Sequence, residues 1–149
     1  MSVTDTRISY QSAQQEDIPV IFAFAKELID TYEDVSSIDY EKVLCWVCNK
    51  IEKNITHYQC IFYDGVKVGY IHIIPGKEET ELDDLYIYPE FRGQGIGTAV
   101  LTQCIDTIKT PLLLYVFRKN VGAINLYSRI GFSLSEEVGK TRYIMRLRG

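Results

Sequence analysis

Ten residues between two patterned segments decide the fold: Pro89-Glu90-Phe91-Arg92-Gly93-Gln94-Gly95-Ile96-Gly97-Thr98. The run before them, 82–88, has the length and apolar content of a β-strand, and a proline ends it. The run after them, 96–109, has apolar residues at helical spacing. Between the two lie three glycines at alternate positions, which leave the backbone bare, so its N–H groups can approach an anion closely.

This glycine-rich turn has two further features that suit a phosphate. The start of the following helix adds N–H donors and a partial positive charge. Arg92 adds a fixed charge with a planar fork of donors. The segment therefore predicts a pyrophosphate-binding turn. The same glycines would also suit a helix-entry turn that needs tight packing, and on these residues alone both interpretations stay open.

Two common phosphate-binding patterns do not fit this turn. A P-loop ends in Gly-Lys-Ser/Thr, and no lysine follows Gly97. A dinucleotide fingerprint needs Gly-x-Gly-x-x-Gly/Ala, and counting from Gly95 puts Val100 at its last position. The acidic residue that should follow about 20 positions later is missing at 114–116.

Outward from the turn, the chain alternates strand and helix patterns in the order β-α-α-β-β-β-α-β-α-β-β. This order predicts an α/β fold, a mixed sheet with helices on both faces. Asp17 is the expected N-cap of the first helix, and the continuous apolar run 112–117 predicts a central strand covered on both faces. The predicted strands are 6–10, 58–63, 66–74, 82–88, 112–117, 133–137 and 141–147, and the predicted helices are 18–32, 37–53, 96–109 and 120–130.

Length and composition limit the class of protein. The 149 residues correspond to one domain, 1–149, and 46% hydrophobic with 24% charged residues is ordinary globular composition. A net charge of −4 argues against a nucleic-acid surface, and no apolar run reaches the roughly 18–20 residues of a membrane span. The first residues lack a signal-peptide pattern, and four cysteines are too few for a disulfide scaffold, so we expect a cytoplasmic protein.

A second motif follows the turn by one helix and one strand: Asn120-x-x-Ala123-x-x-x-Tyr127-x-x-x-Gly131-Phe132. Together with Leu85 to Pro89 and Arg92-x-x-Gly95-x-Gly97, it resembles the GNAT superfamily of acetyl-CoA-dependent N-acetyltransferases. The element order fits this family over nearly the whole chain. The resemblance implies the GNAT fold, a mostly antiparallel central sheet that splays apart between its fourth and fifth strands.

The resemblance also implies an activity. It is the transfer of an acetyl group from acetyl-CoA to a primary amine by direct attack in a ternary complex, and a small cationic amine is the expected acceptor. Acetylation of a protein or peptide amine, and acyl-CoA sensing without turnover, stay open as alternatives. Tyr127 and Asn120 favour an enzyme, because a sensor would need only the glycine-rich turn. Homodimers are common among such enzymes.

The resemblance assigns roles to particular residues. The backbone N–H of Ile87 would polarise the thioester oxygen, and the Tyr127 hydroxyl would protonate the leaving thiolate. Asn120 would cap its helix and bind the pantetheine arm. Without the resemblance, Tyr127 would be a half-buried aromatic residue. The residues assigned to coenzyme A are Leu85, Tyr86, Ile87, Arg92, Gly93, Gln94, Gly95, Ile96, Gly97, Thr98, Asn120, Ala123 and Tyr127.

A catalytic base is harder to choose. An alkylamine, with a pKa of about 10.4, must lose a proton before it attacks, and a carboxylate can take that proton. Asp83 follows Leu82 at the position where some polyamine-acetylating members of the family carry a glutamate. Glu81 and Asp84 are further candidates, and successive strand side chains alternate, so only one aspartate is expected to face the acceptor. Solvated strand-end charges, and a mechanism without a dedicated base, also stay open.

The charged residues, the cysteines and the histidines outside the two motifs give weaker indications of function. The acids in 27–34 predict either a solvated helix end or a negative rim that attracts cations, and an anionic acceptor would instead point to Arg142 and Arg146. The pattern from Cys45 to Cys48 lies inside a predicted helix, where no redox motif is expected. The cysteine and histidine spacing supports no zinc site, so we expect no metal and a structural role for His72.

Overall fold

The computed structural model describes residues 7–147, and its elements follow the predicted order. Within these residues, no helix is long and apolar enough to cross a bilayer. The strands are β1 (Ile8–Ser12), β2 (Tyr58–Tyr63), β3 (Val66–Ile74), β4 (Thr80–Ile87), β5 (Leu112–Phe117), β6 (Ser133–Val138) and β7 (Arg142–Leu147). The helices are α1 (Ile18–Tyr32), α2 (Tyr40–Asn54), α3 (Ile96–Thr107) and α4 (Val121–Ile130).

The predicted bounds hold for β2, β3, β5 and α1 and shift by a few residues elsewhere. The first strand extends to Ser12, and Thr6, where we expected it to begin, lies outside the described residues. The second helix begins at Tyr40 rather than Ser37, because the Asp39 side chain caps it by accepting from the Lys42 N–H at 3.3 Å.

All seven strands form one sheet in the order β1-β2-β3-β4-β5-β7-β6. Neighbouring strands are antiparallel except β4 and β5, which run parallel and pair only at Thr80↔Leu112 and Glu81↔Leu113. Because β4 continues to Ile87 without β5 beside it in the ladder, the sheet opens there. The expected mixed, splayed sheet is confirmed, and its opening lies between the two sequence motifs.

Helices cover both faces of the sheet, as expected. On one face the buried side chains of α3, including Val100 and Leu101, pack against β5 and β7 through Leu114 and Met145. On the other face α1 and α2 pack on the first half of the sheet, around Tyr58 of β2. Each fully buried large apolar side chain contributes about 1.5–3 kcal/mol, so both layers stabilise the fold.

The expectation that β5 is covered on both faces is wrong. Leu114 and Val116 are buried on the α3 face, but Tyr115, which points the other way, is 43% exposed. Helices α1 and α2 pack over β2, β3 and β4 and leave this face of β5 partly open. The end of α1 reaches this face, where Tyr32 stacks on Phe117 with ring centres 6.1 Å apart.

The expected role of Asp17 as a side-chain cap is also wrong. It stands at the N-cap position of α1, but its carboxylate makes no capping hydrogen bond to that helix. It accepts instead from the Gln14 N–H at 2.8 Å, from the Tyr70 hydroxyl at 3.1 Å and from Lys67. These contacts tie the start of α1 to strand β3, and they hold the pKa of the buried Asp17 carboxyl low despite the opposing effect of burial.

Candidate active site

The glycine-rich turn has the backbone geometry of a ligand cradle. Gly93 and Gly95 have φ angles of 76° and 81°, a conformation that favours glycine. A Cβ added to either would meet nothing within 4 Å, so the space above the turn is open. Gly95 precedes α3, and among the described residues no side chain caps that helix start. The first N–H groups of α3 are therefore available to an anion.

Arg92 fastens the turn to the end of β4. Its Nε donates to the Ile87 carbonyl oxygen at 2.9 Å, and its guanidinium carbon lies 5.5 Å from the centre of the Tyr86 ring. Gly97 is close to the same strand end, since a Cβ there would lie 3.8 Å from the Cγ1 atom of Ile87. The cradle and the last residue of β4 therefore form one continuous surface.

The sheet register aims the backbone of Ile87 into the opening. Ile87 lies opposite Gly69 of β3, and the Tyr88 N–H donates to the Val68 carbonyl at 2.8 Å. Because backbone groups alternate in direction along a strand, the N–H and C=O of Ile87 point away from β3. The N–H predicted to polarise a thioester is thus directed to the side where β4 and β5 separate.

Three other residues assigned to coenzyme A, Leu85, Ile96 and Asn120, differ in what they can offer to a ligand. The side chain of Ile96 is 3% exposed in the core, so only its backbone can contact a ligand, whereas the Leu85 side chain packs against the same core and stays partly exposed. Asn120 caps α4 by accepting from the Ala123 N–H at 3.2 Å, which leaves the Asn120 amide NH₂ to act as a donor. The cap confirms that part of its expected role.

A β-bulge places both β4 aspartates on the same cluster. His72 pairs with Asp84, and the next residue of β3, Ile73, pairs with Leu82, so Asp83 is the extra residue. Lys50 of α2 lies 2.6 Å from an Asp83 oxygen and 3.9 Å from an Asp84 oxygen. The expectation that the two carboxylates face opposite sides is wrong, because the bulge breaks the alternation between them.

Asp83 is held as an anion in this cluster. Its Oδ2 lies 2.7 Å from His72 Nδ1 and 2.6 Å from Lys50 Nζ, and its side chain is only 11% exposed. Burial would raise the pKa of Asp83, but the hydrogen bond from His72 and the charge of Lys50 outweigh it and lower the pKa. His72 itself is buried and stacks on Tyr58 at 4.2 Å, which agrees with a structural role.

Asp84 has a different environment. It accepts a hydrogen bond from the Tyr58 hydroxyl at 2.9 Å, and its side chain is 28% exposed. Burial and the negative charge of Asp83 raise the pKa of Asp84 to about 6. Burial and Asp83 also raise the pKa of Glu81. Asp84 therefore combines access to solvent with a pKa close to neutrality.

Tyr127 lies on α4, the helix that follows β5, and β5 is the strand that separates from β4 at the opening. Its ring contacts Phe132 edge-on, with centres 5.7 Å apart. Burial, followed by the negative charge of Asp84, raises the pKa of Tyr127 to about 12. The hydroxyl is thus protonated at neutral pH, and it lies within the electrostatic field of Asp84.

Lys50 and Tyr58 are two members of this cluster that sequence reasoning missed. A signal for Lys50 was present, because it is a charged residue next to the apolar stripe of α2 that includes Val47 and Ile51. No comparable signal marks Tyr58, which is an ordinary buried strand aromatic until Asp84 is placed beside it.

The acidic run at the end of α1 is partly neutralised. Asp30 accepts from Lys26 at 2.7 Å and from the Tyr40 hydroxyl at 2.6 Å, and Asp34 accepts from Ser36. Burial raises the pKa of Tyr86 and the charge of Glu27 adds to this effect, while Arg92 opposes it.

The two arginines of β7 already have protein partners. Arg146 binds Glu79, with Nε 2.8 Å from a carboxylate oxygen, and it also binds Glu136. The guanidinium of Arg142 lies 5.7 Å from the centre of the Tyr115 ring. These contacts weaken the alternative in which the two arginines bind an anionic acceptor.

The cysteines and a group formed by one histidine and two aspartates bear on the expectation that the protein has no metal site. Cys45 and Cys48 lie inside α2, whereas Cys60 and Cys104 are buried. Atoms of His72, Asp83 and Asp84 lie within 4.8 Å of one another. The ammonium of Lys50 and the hydroxyl of Tyr58 contact these same carboxylates, so the groups form an ion-pair and hydrogen-bond network.

Comparison with known proteins identifies the family to which this chain belongs. The sequence model of the acetyltransferase (GNAT) family matches residues 21–132. An uncharacterized N-acetyltransferase of Methanocaldococcus jannaschii is 36% identical over 84 residues, which are 53% of this chain and 37% of that protein. The spermine/spermidine N(1)-acetyltransferase of Bacillus subtilis is 27% identical over 107 residues, 62% of this chain and 70% of that protein.

A solved structure agrees over nearly the full length. PaiA N-acetyltransferase of Thermoplasma acidophilum, in complex with coenzyme A, superposes with a TM-score of 0.68 at 21% identity and covers 95% of this chain and 99% of that one. The family match spans most of the chain, which therefore belongs to the acetyltransferase (GNAT) family. The resemblance drawn from the two motifs is confirmed, together with the fold and the acyltransferase class.

Proposed function

We propose that this protein transfers an acetyl group from acetyl-CoA to a primary amine by direct attack. The observation that carries the proposal is the placement of Asp84 on β4 and of Tyr127 on α4, the helix that follows β5, because β4 and β5 are the strands between which the sheet opens. Asp84, with a pKa of about 6, is a base at neutral pH, and Tyr127, with a pKa of about 12, is an acid. The open glycine-rich turn lies at the end of the same strand as Asp84.

The chain offers a suitable holder for the cosubstrate. The N–H groups at the start of α3, with Gly93 and Gly95, would hold the pyrophosphate, and Arg92 would add positive charge. When bound, acetyl-CoA supplies an acetyl thioester. The Ile87 N–H, directed into the opening, would donate to the thioester oxygen as negative charge develops there.

Asp84 is a better base than Asp83, the residue that the family position indicates. An acceptor ammonium must give up its proton, and Asp83 is a poor base because Lys50 and His72 hold it as a stabilised anion. Asp84 is more exposed, 28% against 11%, and its higher pKa makes it a stronger proton acceptor. Asp84 would take the proton directly or through water, and Tyr127 would protonate the departing thiolate.

The electrostatics of the opening favour a cationic acceptor. Glu81, Asp83 and Asp84 lie together on β4, and Lys50 is the cation in contact with the two aspartates. Glu27 adds a negative charge on the Tyr86 side. Such a surface attracts ammonium groups, and salt screens the attraction. The named activity of the Bacillus subtilis relative, on spermine and spermidine, agrees with this charge argument.

A thiol-release assay with acetyl-CoA and matched amines tests the proposal. We expect polyamines and lysine-bearing peptides to react faster than amines of equal length that carry carboxylates. The kcat/KM for the best cation should fall as salt rises to about 0.5 M, where charges are screened beyond roughly 4 Å. Binding of acetyl-CoA without thiol release on any amine would instead support a sensor, and acidic amines as the best acceptors would overturn the charge argument.

A further inference from the structure

We propose that Lys50 and Asp83 form a charge-setting pair that holds Asp84 ready to accept a proton, and that neither residue contacts the acceptor. This inference rests on the proposed function of Asp84 as the base. Both members would be positioning residues, because they act on the reaction through Asp84. Because the two residues carry opposite charges, removing Lys50 and removing Asp83 should shift the pH dependence of the enzyme in opposite directions.

The geometry of the pair supports this role. Lys50 lies in α2, and its Nζ is 2.6 Å from Asp83 and 3.9 Å from Asp84, so its main partner is Asp83. The side chains of Lys50 and Asp83 are 25% and 11% exposed, which limits screening by solvent. Asp83 is also fixed from β3 by His72 at 2.7 Å. The bulge in β4 is what brings this fixed pair against Asp84.

The two charges act on Asp84 with opposite signs. The anion of Asp83 disfavours ionisation of Asp84 and raises its pKa, whereas the cation of Lys50 lowers it. Burial favours the neutral amine of Lys50, but the charges of Asp84 and Asp83 outweigh it and raise the pKa of Lys50. Lys50 therefore stays charged wherever Asp84 titrates.

Other groups face Asp84 from every element packed around it, and they define what must stay constant in a test. The Tyr58 hydroxyl donates to Asp84, and Tyr127 lies within its field. His72 binds Asp83, and Glu81 lies beside Asp83 in the same strand. The facing groups are Lys50 from α2, Tyr58 from β2, His72 from β3, Glu81 and Asp83 from β4, and Tyr127 from α4.

The experiment measures kcat/KM against pH, since its acid limb reports the base in the free enzyme. In the unaltered enzyme we expect the limb near pH 6. Lys50→Met should move it upward and Asp83→Asn downward, each by about one pH unit, the lower end of the effect of a charge within about 4–6 Å. Lys50→Arg should restore the limb, and the double variant should return it close to its original position.

Two controls separate this effect from damage to the fold. Lys53→Met removes a lysine from an exposed position of the same helix, and it should leave the limb in place. Melting with and without acetyl-CoA shows whether each variant folds and binds the cosubstrate. A structural role alone would lower activity at all pH values and would not shift the limb in opposite directions.

The outcomes also separate this inference from the proposed function. Asp84→Asn should lower kcat/KM by about 10²–10⁴-fold and remove the acid limb. Activity and a limb that both survive Asp84→Asn would overturn Asp84 as the base. If Asp84→Asn removes the limb while Lys50→Met and Asp83→Asn leave it unmoved or shift it in the same direction, the charge-setting pair is wrong and the base stands.

Discussion

The glycine-rich turn follows the end of β4 and the aspartate cluster lies in the middle of that strand, yet the two are built in different ways. The turn works through its backbone, with Gly93 and Gly95 at positive φ and an open space above them. The cluster works through side chains from three strands and from helix α2, held together by Lys50 and by a bulge at Asp83. The first depends on local sequence and the second on tertiary packing.

This difference matches two separate tasks, the binding of acetyl-CoA and the recognition of the acceptor amine. A backbone cradle recognises the phosphates that every acetyl-CoA molecule carries, and it needs few particular side chains. An acceptor site must match one amine among many, and it does so with charges whose strength depends on burial and on neighbours. Substitutions at the turn should therefore abolish cosubstrate binding, whereas substitutions at the cluster should adjust rate and pH dependence.

The largest effect is expected at Gly95. Gly95→Asp would place a side chain and a negative charge in the open space of the cradle, and it should abolish the rise in melting temperature that acetyl-CoA produces. Gly65→Asp is the matched control, because Gly65 also has a positive φ, 80°, and open space at its Cβ position, but lies in the turn between β2 and β3. Both variants carry similar backbone strain.

Differential scanning fluorimetry would measure the melting temperatures of the two variants at increasing acetyl-CoA concentration. Gly65→Asp should melt at a lower temperature but still show the full ligand-dependent shift. A normal shift in Gly95→Asp would show that the phosphates bind elsewhere, and the contrast between the backbone cradle and the side-chain cluster would no longer hold.

The second effect is expected at Tyr127 of α4, which belongs to neither the turn nor the cluster. Tyr127→Phe removes the proton and keeps the ring packed on Phe132, so turnover should fall by about 10²–10⁴-fold with little change in cosubstrate binding. Because the pKa of Tyr127 is about 12, its loss should not remove an alkaline limb below that pH. Steady-state kinetics would check both statements, and turnover within about twofold of the unaltered enzyme would rule out Tyr127 as the acid.

The sequence was sufficient for the turn and for most of the fold. Glycine spacing, a proline at the strand end and helical periodicity are local signals, and the structure places β3, β5 and the start of α3 where those signals indicate. The cap at Asn120 and the helix end at Gly131 are likewise local, and both are present. The start of α2, expected at Ser37, lies at Tyr40 because the Asp39 side chain caps the helix there.

The acceptor side could not be predicted in the same way. A strict alternation along β4 would separate Asp83 from Asp84, and only the register with β3 reveals the bulge that brings them together. The choice between the two carboxylates follows from the position of Lys50, which is 33 residues away in the chain and joins the cluster through the packing of α2. No local pattern shows that contact.

The smallest effect, and the finest test of the comparison, is expected from two helix caps. Asn120 and Asp39 each accept a hydrogen bond from a first-turn N–H, at 3.2 Å and 3.3 Å, so replacing either by alanine should cost about 1 kcal/mol of stability. Only the cap of α4 stands in the second motif, at the opening of the sheet. Asn120→Ala should therefore also raise the KM for acetyl-CoA by a few fold, because the amide NH₂ that would bind the pantetheine arm is lost, whereas Asp39→Ala should leave that KM unchanged.

Chemical denaturation measures the stability of both variants, and initial rates at varied acetyl-CoA measure the KM. Equal KM values in the two variants would restrict Asn120 to capping and leave the backbone cradle as the part of the site that holds the cosubstrate.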